Sequence, residues 1–294
     1  MKKQKQHYYP RFALNRWLGK DHKLQPYGWT DEVNDGPVLR RSRTSSKSVC
    51  REIDLYTLET INPGNPFLFE EEFFGPLVDE PAALALQSFE SGSVRDLTPH
   101  QRFAWAAFLV SLPARTPEAL SQMTTGFYAG LDTDASEYEA AKADEDPPTL
   151  SEWARKHEPG YVEDMARKLM VDVIVDADAK RSVEEMIWWT SNTHPHQLVV
   201  SDRPLLSSTG QEDLPCAFNA DDPRQLIALP ISPFRVFFAS HDKRVRTRVR
   251  RKPRKTLAAQ INHSTLSSAV SHVMALNTDI EPFILSKWKK LRKA

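Results

Sequence analysis

The longest apolar stretch of the chain is FAWAAFLVSLPA at residues 103–114, and it is apolar on nearly every side of a helix. Thr98 and Gln101 precede it with the spacing of a capping box, and Pro99 suits the first helical position. A helix without a polar face packs in the interior of a protein. The pattern therefore predicts a buried central helix, which Pro113 ends or kinks.

Similar start signals predict further helices along the middle of the chain. TPE at 116–118 and the capping box formed by Thr149 and Glu152 each begin one. The segment SVEEMIWWTS at 182–191 continues the helical spacing. We therefore expect a helical part over about 68–192, interrupted by an acidic loop at 132–148.

The pattern changes after residue 196, where short β-branched segments bounded by turns indicate strands. FRVFFASHDKRVRTRVR is typical of a hairpin that turns at His241 and Asp242, and a helix is predicted over about 255–276. We expect a single domain over 1–294 of the α+β class, mainly helical, with a small, largely antiparallel sheet formed by the C-terminal third, at about 193–255.

Composition limits the class of protein. The formal net charge is zero, so an attraction to nucleic acid must be local. Cys50 and Cys216 have neither disulfide nor zinc spacing, which favours a reducing cytoplasm. No apolar run is long enough to span a membrane, and the first residues lack the apolar core of a signal peptide. Motifs of P-loop, Rossmann, zinc-protease and serine-hydrolase enzymes are missing. Composition does not predict an oligomeric state.

The segment KQHYYPRFALNRW at residues 5–17 concentrates polar chemistry near the start of the chain. The imidazole of His7 suits a general acid or base at neutral pH, and Tyr8 could position it. Arg11 and Arg16 offer planar guanidinium groups that suit a phosphate. The alternative is structural, with the aromatic rings buried as anchors. The residues alone leave both interpretations open.

Two further patterns suit a metal ion or a turn. Asp202 follows the strand-like VVS and could bind a divalent metal or orient His7, or it could hydrogen-bond the local backbone. His194 and His196 form an HxH pair, which strand spacing would place on one face. A third ligand is not evident, so ordinary loop histidines are the alternative.

Arginines are the other candidates for binding an anion. Arg115 ends the apolar helix and either binds an anionic substrate or pairs with Glu71, Glu72 or Asp79. The alternating segment RVRTRVRR would place four arginines on one strand face, either to contact a phosphate backbone or to keep an edge strand soluble. These four are Arg244, Arg246, Arg248 and Arg250.

The N-terminal segment resembles the start of domain-of-unknown-function family 4238, whose members begin with a K-x-Q-H-Y-V-P-x-F-x-L-x-x-F-like signature. RFAWAAFLVSLPARTP, LVVSDRPLL and ALPISP are similar to later blocks of that family in the same order. QINHSTLSSAV is similar to a helix that carries an asparagine, here Asn262, which we add to the substrate-binding candidates. The resemblance covers nearly the whole chain. It implies a domain but no activity, and an association with bacterial antiphage defence implies a toxic effector.

We therefore expect a cytoplasmic effector that acts on nucleic acid by phosphodiester cleavage. His7, Tyr8 and Asp202 would be its catalytic residues. The alternative is a non-catalytic module that binds nucleic acid or a protein partner, with the N-terminal segment as a structural latch. Modification of a nucleotide or of a protein is a third hypothesis. Whether a divalent metal takes part stays open.

Overall fold

Helices and strands are distributed along the whole described chain. The computed structural model describes residues 3–32, 36–91, 94–139, 149–208, 222 and 224–291. The strands are β1 (Lys5–His7), β2 (Gln25–Glu32), β3 (Gly36–Arg41), β4 (Arg51–Ile53), β5 (Ile187–Asn192), β6 (Val200–Ser201), β7 (Leu206–Ser208), β8 (Leu226–Ser232), β9 (Arg235–Ser240) and β10 (His272–Ala275). The α-helices are α1 (Arg11–Leu14), α2 (Glu80–Ser91), α3 (Pro99–Ala114), α4 (Pro117–Glu139), α5 (Leu150–His157), α6 (Tyr161–Val175), α7 (Ala177–Glu185), α8 (Lys243–Arg251), α9 (Arg254–Ser268) and α10 (Glu281–Leu291), and a π-helix covers Phe69–Asp79.

The strands form three antiparallel sheets. β1 pairs with β4, the order β3–β2–β10–β6 makes a second sheet, and β5–β9–β8–β7 makes a third. The fold is α+β, but the prediction of one sheet within the C-terminal third is wrong. Val273 of β10 lies opposite Tyr27 of β2, so this pairing joins residues from opposite ends of the chain. A local hydrophobic pattern carries no information about such a distant partner.

Helix α3 is the buried central helix that the sequence predicts. The Thr98 hydroxyl accepts from the Gln101 backbone N–H at 3.2 Å, and the Gln101 side chain accepts from the Thr98 N–H at 3.0 Å. Every residue from 104 to 112 is buried. The second predicted capping box, Thr149 with Glu152, is also present at the start of α5. Both predictions of helix starts are therefore confirmed.

A cluster of aromatic rings joins α2 and α3 to the third sheet. The Trp105 ring lies 4.9 Å from Phe89, 5.0 Å from Phe108 and 5.6 Å from Phe237, measured between ring centroids. Phe237 in turn contacts Trp188 of β5 at 5.3 Å. Edge-to-face and tilted pairs of this kind add to the stabilisation from apolar burial. The helical layer and the sheet therefore share one core.

Residues 243–251 form helix α8 and are not the second arm of a hairpin. β9 pairs instead with β5 and β8. The carboxylate of Asp242 accepts from the Arg244 N–H at 2.7 Å and caps the helix. Val245 and Val249 are buried and lie four residues apart, which suits a helix packed on a sheet. The predicted hairpin, and with it the single strand face of four arginines, is wrong.

Two other predicted helices have different bounds. The segment 182–191 is helical only to Glu185, because Ile187 and the residues after it are β-branched or aromatic and enter β5. The helix predicted over 255–276 ends at Ser268, and β10 follows it.

The predicted acidic loop at 132–148 is helical as far as Glu139, where α4 ends, and residues 140–148 lie outside the described residues. Cys216 also lies outside them. Within the part of the chain that the structure describes, no helix combines the length and the apolar character that crossing a membrane requires.

Candidate functional site

The N-terminal segment packs against β4, with which its strand β1 forms a two-stranded sheet. His7 of β1 lies opposite Arg51 of β4 in an antiparallel pair. The Tyr8 N–H then donates to the Cys50 carbonyl at 3.0 Å. This pairing fixes the backbone of His7 and Tyr8, two of the three predicted catalytic residues.

The imidazole of His7 is half-buried and held by one hydrogen bond. Its Nε2 lies 3.2 Å from the Ser46 carbonyl oxygen. A carbonyl oxygen only accepts, so Nε2 carries the hydrogen and Nδ1 carries the lone pair. Burial lowers the pKa of His7, as do the positive charges of Arg11 and Arg51, against the hydrogen bond to Ser46. His7 is therefore a neutral imidazole at pH 7 with a basic Nδ1.

Tyr8 and Cys50 meet His272 of β10 in a buried contact. The Tyr8 hydroxyl hydrogen-bonds the Cys50 thiol, whose Sγ lies 3.5 Å from His272 Nε2. Burial raises the pKa of the Cys50 thiol and of the Tyr8 hydroxyl, and burial lowers the pKa of His272. All three groups are therefore neutral at pH 7, and a protonated thiol is a poor nucleophile.

Arg115, at the end of α3, is wholly buried and clamps three parts of the chain together. Its Nε donates to the Tyr8 carbonyl at 2.9 Å, and its terminal nitrogens donate to the two Asp79 oxygens at 2.9 and 3.4 Å. The Tyr56 hydroxyl donates to the Arg115 carbonyl at 2.7 Å. Burial opposes the charge, but Asp79 and Tyr56 favour it, and the pKa of Arg115 is raised. Of the two sequence-based alternatives, the geometry matches pairing with Asp79.

Asp202 holds the backbone that enters β10. Its carboxylate accepts from the N–H groups of Val270, Ser271 and His272 at 2.9, 2.6 and 3.3 Å, and the residue is 3% exposed. Three charge-assisted hydrogen bonds tie the Asp202 carboxylate to the backbone at the start of β10. The predicted alternative is a carboxylate bonded to the local backbone, but these donors lie 68–70 residues away, so Asp202 joins its own turn to the start of β10.

We call the side chains of Tyr8, Cys50, Arg115, Asp202 and His272 the N-terminal hub. The segment that carries Tyr8 meets the end of α3 and the entry to β10. However, Tyr8, Arg115 and Asp202 are 9%, 0% and 3% exposed, so these groups do not line an open cleft.

The remaining substrate-binding candidates, Arg11, Arg16 and Asn262, differ in exposure and in hydrogen bonding. Arg11 is exposed on α1 and Arg16 is half-buried on the turn after it. Asn262 of α9 is buried, and its side chain accepts from the Val199 N–H at 2.9 Å and donates to the Gln197 carbonyl at 2.8 Å. Asn262 therefore joins α9 to the segment before β6.

The solvent side of α8 carries a dense group of positive side chains. Lys243, Arg244, Thr247, Arg248 and Arg251 line one shallow groove. Of the four arginines predicted to contact a phosphate backbone, Arg244, Arg248 and Arg250 are exposed and Arg246 is partly buried.

Comparison with known proteins identifies the family. A family model described as "Protein of unknown function (DUF4238)" matches residues 5–279. The chain belongs to this family. No match was found among curated proteins or among solved structures.

Metal ligation has no support in the described part of this DUF4238 chain. Within those residues, no group of three or more His, Cys, Asp or Glu side chains is arranged to hold an ion. The predicted HxH pair is separated by Pro195, and His194 instead packs edge-on against Phe234 with centroids 5.2 Å apart.

Sequence reasoning missed two members of the hub in this DUF4238 chain. Cys50 and His272 are 222 residues apart and touch only because β10 joins a sheet formed early in the chain. Neither lies in a motif with catalytic or metal-ligand spacing. The one unusual local feature is the backbone of Cys50, which has a φ of 51° in the left-handed region that non-glycine residues rarely occupy.

Proposed function

We propose that this protein binds the phosphate backbone of nucleic acid through the solvent side of α8. The observation that supports the proposal is local charge in a neutral chain. Nine of the thirteen residues from 243 to 255 are Lys or Arg, while the formal net charge of the whole chain is zero. The phosphate backbone of nucleic acid binds such a surface, because each phosphate that a Lys or Arg neutralises releases a condensed counterion and so favours binding.

The geometry of α8 suits this role. Its valines face the sheet, so Arg244, Arg248 and Arg250 lie on the exposed side of the helix. Arg244 and Arg248 lie one helical turn apart, and like charges at that spacing destabilise a helix. A bound polyanion removes that repulsion. Arg guanidinium groups also match phosphate oxygens in geometry.

The hub supports a binding protein with a structural N-terminal latch. Arg115 and Asp202 are occupied in holding the backbone, and Tyr8 is buried between them and Cys50. We infer that the N-terminal segment stabilises the fold that presents α8. The setting we propose is the cytoplasm, with the protein as an effector or sensor in antiphage defence.

Reversing three charges of the α8 groove is expected to lower the affinity for nucleic acid and to make that affinity less dependent on salt. Each lost phosphate contact lowers the slope of log Kd against log salt by about one, so R244E/R248E/R251E should lower it by about three. The measurement is fluorescence anisotropy with labelled RNA and DNA oligonucleotides between 50 and 300 mM salt, on the order of the range where such slopes are read.

The matched control carries the same change in net charge elsewhere. Lys20, Lys156 and Arg181 are exposed and lie outside α8. The variant K20E/K156E/R181E should keep most of the salt slope. If both triple variants lose affinity equally, the effect is one of net charge, and the assignment to α8 fails.

Phosphodiester cleavage at His7 is a second candidate, favoured by the orientation of its ring. Nε2 is fixed by Ser46, and no described residue hydrogen-bonds Nδ1, which leaves it free to accept a proton. Arg11 and Arg51 are the positive charges near this imidazole. A neutral base beside guanidinium groups is what cleavage of RNA by its own 2′-hydroxyl requires.

Replacing His7 with Ala should slow cleavage of labelled RNA by about a hundredfold or more, while the thermal melt stays nearly intact. Because the pKa of His7 is below 6.5, the rate should be constant above that pH and fall as the pH drops through the lowered value. Gel analysis of oligonucleotides over pH 5–8, roughly the range in which imidazole titrates, measures both effects. Nucleic acid that stays intact with the wild-type protein would reject this second function and leave the binding proposal standing.

A further inference from the structure

A second cleft lies where the basic stretch of residues 243–255 ends. It is formed by the turn that contains Pro195, the first turns of α9, and the segment leading into α10, and its volume is about 340 Å³. That volume is within the range of about 300–1,000 Å³ typical of small-ligand sites. The cleft is therefore large enough for one nucleobase.

The walls of the cleft combine aromatic rings with polar groups. Phe234 and Phe283 are partly exposed and line it together with His196, Lys255, Asn277 and Asp279. The imidazole of His196 and the carboxylate of Asp279 make no hydrogen bond with another side chain in the described residues. Such a set offers a surface for stacking and both donors and acceptors at its edge.

The floor of the cleft is fixed. Gln197 donates from Nε2 to Asn277 Oδ1 at 2.7 Å, and its Oε1 accepts from the Leu276 N–H at 3.1 Å. Asn262 holds the Gln197 carbonyl at 2.8 Å. A rigid floor lowers the entropy lost when a ligand is bound.

The cleft follows the α8 surface closely along the chain, because α8 ends at Arg251 and α9 begins at Arg254. Arg254 donates to the carbonyl of His194 at 3.3 Å, in the turn that forms one wall, and the next residue, Lys255, lines the cleft itself. A strand whose phosphates follow α8 to Lys255 would bring a base to the aromatic rings. Only an unpaired base could enter, because a base within a duplex is stacked and paired.

We propose that this cleft binds one unstacked nucleobase, so that the protein recognises single-stranded nucleic acid. The inference rests on the proposed function of α8. Guanine is the expected base, because its Watson–Crick edge presents two adjacent N–H donors to the Asp279 carboxylate and an acceptor to a neighbouring donor such as Asn277 Nδ2. The phenyl rings would stack on its face.

The test uses two labelled single-stranded decamers in which every position is a stable abasic spacer, except that one of them carries a single central guanosine. The wild type should bind the guanosine decamer about five- to 150-fold more tightly, as stacking of one base predicts. Phe283→Leu and Asp279→Asn should each reduce this ratio toward one. Phe103→Leu and Asp178→Asn, at exposed positions outside the cleft, should leave it unchanged.

The outcomes separate this inference from the proposed function. The R244E/R248E/R251E variant should bind both decamers more weakly by the same factor, so that the ratio of their two affinities is preserved. Equal binding of the two decamers by the wild type, or equal binding of single strand and duplex, would overturn the base site even if α8 binds phosphate. If the α8 variant binds both decamers like the wild type, the proposed function fails as well.

Discussion

Replacing Arg115 with Met is expected to lower the free energy of unfolding by about 3 kcal/mol, the lower end of the cost of breaking a buried ion pair, because Arg115 is wholly buried but the Asp79 side chain is 23% exposed. The variant leaves the Asp79 carboxylate without its cation and the Tyr8 carbonyl without its donor. It also loosens the contact between the N-terminal segment and α3. Urea unfolding followed by tryptophan fluorescence measures the effect.

Two further variants make this prediction specific. Removing both charges with R115M/D79L should recover part of the lost stability, because a buried pair replaced by apolar groups is often neutral. Arg203→Met serves as the surface control, since Arg203 lies 3.6 Å from Glu118 and both are partly exposed. That change should cost about 0–1 kcal/mol. An R115M protein that unfolds at the wild-type urea concentration would show that the clamp does not hold the fold.

Helix starts could be predicted because their signals lie within a few residues. The side chain of Thr98 reaches Gln101 without any help from the rest of the fold, and the same is true of Thr149 and Glu152. Sheets could not be predicted in the same way. β10 pairs with β2 and β6 through contacts whose partners are set by the tertiary fold.

Helix α8 shows how one pattern supports two structures. In RVRTRVRR the basic residues alternate as on a strand, yet Val245 and Val249 are also four apart, as on a helix. The cap at Asp242 favours the helix, and its apolar pair faces the sheet. The period of the few apolar residues was therefore the better guide, because burial of those residues determines the conformation.

For the candidate site, sequence reasoning named Tyr8, Arg115 and Asp202 but predicted neither their distant backbone partners nor their burial. The Tyr8 carbonyl accepts from Arg115, and His7 lies opposite Arg51, which was not a candidate. Residue types do not indicate whether a polar group faces solvent or satisfies a buried partner, because the same groups suit both. Only the contacts decide, and here they place Asp202 against three backbone donors.

Replacing Asp202 with Asn should lower the free energy of unfolding by about 3 kcal/mol, because hydrogen bonds to a charged acceptor are lost and a buried N–H is left unsatisfied. The carboxylate accepts three N–H groups, whereas an amide keeps one accepting oxygen and turns an NH₂ group toward a donor. Chemical denaturation gives the change in stability, and amide hydrogen exchange should show faster opening at Val270–His272.

The matched control for this substitution is Asp178→Asn, since the Asp178 side chain is 92% exposed and its change should not alter stability. The two roles considered for Asp202 predict opposite results. If the Asp202 carboxylate only holds β10, D202N lowers the stability of the protein and leaves its action on nucleic acid unchanged. If D202N keeps wild-type stability and instead loses cleavage of nucleic acid, Asp202 acts in the chemistry of His7, and the hub is a catalytic centre rather than a latch.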